Sequence, residues 1–115
     1  MDLEVRLFIF AGDGTLVPLD KERFDRAVDR QEPLPDFSGQ CLKVAGVLLG
    51  SGSGQAALQD VYGQFVYFDE QGFVDEVKLI ESIRYSDKIT EKGYQNEFVW
   101  SPTDEDLDRI RKAVG

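Results

Sequence analysis

The stretch 60–68, "DVYGQFVYF", decides the fold. Its aromatic and β-branched residues suit a pleated strand. Successive strand side chains point to opposite faces. Val61, Phe65 and Tyr67 therefore project to one side, and Tyr62, Val66 and Phe68 to the other. A sheet with one wet face alternates apolar with polar; this strand wants both faces covered. Residues 42–49 repeat the pattern, with Leu42, Val44 and Leu48 opposing Ala45, Val47 and Leu49.

Working outward, 2–10 reads as a strand with Leu3, Val5, Leu7 and Ile9 on one face and Phe8 and Phe10 on the other. Gly12-Asp13-Gly14 is a turn signal, so Thr15-Leu16-Val17 should fold back. Asp20 is an N-cap, and Leu19 and Phe24 have the spacing of a hydrophobic staple, which predicts a helix over 20–31 closed by Pro33 and Pro35. Leu34 and Phe37 should tuck inward from the loop that follows. Strands are expected over 40–49 and 58–68, joined through the flexible "GSGSGQ" at 50–55.

"DEQG" at 69–72 is a turn, and the period-two set Phe73, Val77, Leu79, Ile83 and Tyr85 predicts a strand folding back as a hairpin. A helix from Asp75 is the competing reading, since Phe73, Val77 and Ile80 also share a helix face. "SDKITEKGYQNE" at 86–97 is polar and reads as loop; Phe98-Val99-Trp100 is a short apolar anchor. The last helix, over 102–114, has Ser101 as cap and Pro102 at its first position. Acids fill its first turn and bases its last, matching the helix dipole. The expected fold is α+β: one domain over 1–115, with a curled antiparallel sheet of about four or five strands and two short helices.

Composition narrows the function classes. The chain has 115 residues, 42% apolar, enough to bury roughly two-thirds of its unfolded surface. The net charge of −9 opposes nucleic acid and anionic lipid as partners. With no histidine and one cysteine, a structural zinc site is excluded and the commonest general base is missing. Cys41, flanked by apolar residues, is expected to be a small buried side chain rather than a nucleophile. The longest apolar run, 44–49, is far too short to span a bilayer, and the first residues lack the basic start of a signal peptide, so the expected location is cytoplasmic. Neither a cofactor nor a metal is implied.

"FIFAGDGTLVPLD" at 8–20 resembles the haloacid-dehalogenase-like phosphatases, whose first strand ends in Asp-x-Asp-Gly-Thr. In that family the first aspartate attacks phosphorus; here Ala11 stands in its place, so no aspartyl-phosphate can form. Asp13 would correspond to the acid/base residue with nothing to assist, and its flanking glycines suit a tight reversal. "GSGSG" is neither a dinucleotide fingerprint nor a Walker loop. "DEQGFVDE" at 69–76 carries four carboxylates but lacks EF-hand spacing, and 55–81 contributes −5 through six acids and one base. "VRLFIF", "RFDR", "LPDFSGQ" followed by "KVA", and "FDEQG" together resemble small bacterial proteins carried on mobile gene cassettes of the integron kind. That resemblance implies no activity.

Two ten-residue helices cannot shelter both sides of such a sheet, so a twin subunit, an apolar ligand or curling must do so. Phe8, Tyr62, Phe65, Tyr67 and Phe68 are the expected ligand or interface residues. The leading expectation is a non-enzymatic interaction domain that homodimerises through an apolar sheet face. Two others are a small apolar-ligand module and an acidic inhibitor or immunity-type protein masking a basic partner. Were the chain an enzyme, Asp13, Asp69, Asp75 and Tyr85 would be its candidates.

Overall fold

A computed structural model describes residues 2–52, 55–86 and 96–115. The elements are β1 (Asp2–Phe10), β2 (Leu16–Leu19), α1 (Lys21–Val28), a 3₁₀ turn (Pro35–Phe37), β3 (Cys41–Gly52), β4 (Gln55–Tyr67), α2 (Glu76–Ser86), β5 (Val99–Trp100) and α3 (Asp104–Val114). The five strands form one open antiparallel sheet in the order β2-β1-β3-β4-β5. The fold is α+β with three helices where two were expected.

The β1–β2 reversal closes as its sequence requires. Gly14 takes φ 85°, its amide donates to the Ala11 carbonyl, and the Asp13 carboxylate accepts from the Thr15 amide at 2.9 Å. In α1, Asp20 caps by accepting from the Arg23 amide at 3.1 Å. The helix ends at Val28, short of the expected 31. Arg30 turns left-handed at φ 57°, and the amides of Gln31 and Glu32 fold back on the Arg26 carbonyl. That early stop sends the chain back over the sheet, where Leu34 is buried.

The hairpin expected over 73–85 is replaced by a helix. Pairing stops at a single Phe68–Val74 bridge. Asp75 then accepts from the Lys78 amide at 3.1 Å and its carbonyl from the Leu79 amide, opening α2. A capping aspartate followed by mostly good helix formers outweighs the period-two pattern. In α3 the cap moves two residues on from Ser101. Thr103 accepts from the Asp106 amide at 3.2 Å while Asp106 reaches back to the Thr103 amide at 3.0 Å, a complete capping box.

The long strands run further than expected, through Gly52 and from Gln55, while Ser53 and Gly54 of the "GSGSGQ" connection lie outside the described residues. So do residues 87–95 of the polar loop. A bulge falls between Leu48 and Leu49, whose partners on β4 are Asp60 and Leu58. Gln59 is thereby stepped over, and Leu58 rather than Gln59 meets Leu49 on the core side.

Each sheet face carries a core. On one side α1, the 3₁₀ turn and Leu79 of α2 cover Leu7, Ile9, Leu42, Val44, Val66 and Phe68. On the other, Ile110 and Val114 of α3 cover Phe8, Phe10, Ala45, Val47 and Leu49, with Trp100 alongside. The double-apolar strands are thus met by helices on both sides.

Candidate interaction surface

The five aromatics singled out from the sequence do not share a face. Phe8 and Phe68 are buried in opposite cores, and Phe65 is half-buried beside Phe8. Tyr67 lies half-buried at the β4 edge. Its hydroxyl donates to the Glu97 carbonyl at 2.8 Å, and its ring meets Phe98 edge-on at 6.4 Å. Burial first, then the Cys41 thiol and Glu97, push its phenol above the ordinary value. Tyr62 is exposed, its ring resting on Gly46 of β3. The sheet itself stands between Tyr62 and Phe8.

The candidate catalytic carboxylates serve local structure. The Thr15 hydroxyl and amide, helped by Arg109 and opposed by burial, hold the Asp13 carboxyl below the ordinary value. Asp69 accepts from the amides of Gln71, Gly72 and Phe73 at 2.9–3.0 Å and pairs with Arg30 at 3.2 Å. Burial pulls its carboxyl up, but these donors together hold it below the ordinary value. Asp75 caps α2, and Tyr85 packs its ring near Phe98 at 6.2 Å. Among the described residues no three thiols or carboxylates gather as a metal site.

Cys41 is exposed at the start of β3, contrary to expectation. Its sulfur is nevertheless shielded enough that burial raises the thiol, with the Tyr67 hydrogen bond pulling the other way. A raised thiol is not an activated nucleophile. Two residues on, the Lys43 ammonium sits 4.4 Å from the Trp100 ring centroid and 5.7 Å from that of Phe10. A depression of about 170 Å³ lies between β2, α1 and the 3₁₀ turn, lined by Pro18, Asp20, Arg23 and Phe37 among others. That is smaller than an ordinary ligand pocket.

The apolar surface left over lies elsewhere. Leu3 is 63% exposed, Tyr62 54%, Val77 66%, Ile80 45% and Ile83 53%; Val17, on the edge strand β2, is 45% exposed. Leu3 and Tyr62 occupy the α1-side face toward the β3–β4 hairpin end, with the half-buried Val5 and Leu48 between them. The helix α2 packs on β4, the strand that carries Tyr62. Gln64, two residues after Tyr62, donates to the Ser82 hydroxyl at 3.0 Å. Lys78 and Tyr85 on one flank of α2 meet Phe98; Ile80 and Ile83 lie on the other flank.

Periodicity alone missed Leu3, Val77, Ile80 and Ile83. The available signal was that 76–86 carries apolar residues around more of a helix than one contact can bury. No family model, curated protein or solved structure matches the chain. Among the described residues, no helix is long and apolar enough to cross a membrane.

Proposed function

We propose that the chain is a non-enzymatic interaction domain that pairs with a second copy of itself through the apolar surface on its α2 side. One observation carries this reading: Leu3, Tyr62, Val77, Ile80 and Ile83 stay exposed although the cores on both sheet faces are filled. Single exposed apolar residues are ordinary; Val77, Ile80 and Ile83 together on one sector of a short helix are not. A second copy is the favoured occupant because small oligomers are mostly two-fold, with one patch serving both subunits.

The expected area is that of a standard stable interface, about 800 Å² per partner once a polar rim is added to the apolar centre. Sedimentation velocity from about 1 to about 100 μM covers micromolar dissociation constants. The expected result is a species of twice 13.0 kDa at the upper end; a 13.0 kDa monomer at every concentration overturns the reading.

A further inference from the structure

From the α2 surface we infer that the two copies meet through α2 packed antiparallel on α2, with the two-fold axis beside Ile80. The inference rests on the self-association proposed above and specifies how it is made. Val77 lies three residues before Ile80 and Ile83 three after; Glu76 lies four before and Arg84 four after. At about 100° per residue, all five fall within one ~120° sector of the helix. Leu79 and Ser82 face the body of the protein, and Lys78 and Tyr85 face Phe98, so none of these competes for that sector.

The pattern is self-complementary only when one helix is reversed. Antiparallel packing centred on Ile80 sets Val77 level with Ile83 of the partner subunit and Glu76 level with Arg84 of the partner subunit. Each interface then has two oppositely charged pairs flanking an apolar centre. Parallel packing in register would stack glutamate on glutamate and arginine on arginine. Both Glu76 and Arg84 are exposed, and neither makes an ion pair among the described residues.

Net charge favours this element as well. The chain carries −9, so most of its surface repels its own copy. Over Glu76–Ser86 two acids and two bases cancel. The acid stands in the first turn and Arg84 in the last, so reversing one helix also sets opposite dipole ends together.

Charge reversal tests the arrangement. Glu76→Arg makes the flanks of the sector all cationic, and Arg84→Glu makes them all anionic. Each variant alone is expected to self-associate at least about tenfold more weakly than the native chain, because like charges face across the axis. An equimolar mixture is expected to recover native-strength association as a heterodimer, since each cation then faces an anion. Circular dichroism of each variant verifies the fold, and recovery in the mixture is itself impossible for an unfolded chain. If the native chain dimerises and either folded variant does so equally tightly, α2 pairing is overturned while self-association stands. Loss without recovery on mixing overturns it too. A monomeric native chain removes the underlying reading instead.

Discussion

At Gly63 a side chain has no room. A Cβ there would run into the ring and carbonyl of Trp100, which pairs with it across β4 and β5. Trp100 in turn donates its indole N–H to the Val44 carbonyl at 3.2 Å and stacks edge-on against Phe10 at 5.0 Å. Gly63→Ala must therefore displace a fixed ring, at a cost of about 1–3 kcal/mol. The urea midpoint should fall accordingly, with the chain's one tryptophan reporting the transition. Asp69 makes a different prediction. Its folded-state carboxyl lies below the usual 3.8, so its stabilisation is complete above that value and is lost as pH falls through the lower one. Urea titrations from neutral pH to about pH 2 should show acid destabilisation that is shallower in Asp69→Asn. Identical slopes for the two proteins would contradict this role. The Asp13 turn and the Asp20 cap were legible in the sequence because their donors lie within three residues. The space above Gly63 was not, since Trp100 stands 37 positions away, the difference of the two residue numbers.

Among the elements, α2 separates local from distant information. Its alternation of apolar residues fits a strand, whereas the capping of its first turn by Asp75, the good helix formers that follow and the hydrogen bond at Ser82 favour a helix. Ser82 is buried; its hydroxyl donates to the Leu79 carbonyl at 2.8 Å while accepting from Gln64 at 3.0 Å. Ser82→Ala leaves the Gln64 amide short of an acceptor and should cost about 1 kcal/mol with an unchanged urea m-value. No measurable loss would contradict a stabilising role for this bond. The strands of the hairpin β3–β4 were readable because both of their faces are apolar; the bulge that admits Leu58 was not, because it depends on pairing register. The box that starts α3 was displaced from Ser101 to Thr103 because Asp106 reciprocates there.

For the whole molecule, the shortage of cover read from the strands was met in a different place than expected. A third helix and the α1 loop close the face around Phe68, and α3 closes the face around Phe8 and Phe65. What remains exposed, besides Val17 on the edge strand β2, is the far end of the α1-side face and the outer sector of α2. An acidic chain gains by joining at a helix whose own charges cancel, and that is where the proposed two-fold axis falls. Amide hydrogen exchange at two protein concentrations, one tenfold below and one tenfold above the association midpoint, tests this most directly. Exchange over Glu76–Ser86 should slow at the higher concentration, while Lys21–Val28 and Asp104–Val114 exchange at the same rates in both. Exchange in α2 that is independent of concentration, or protection gained at α1 or α3 instead, would contradict the account.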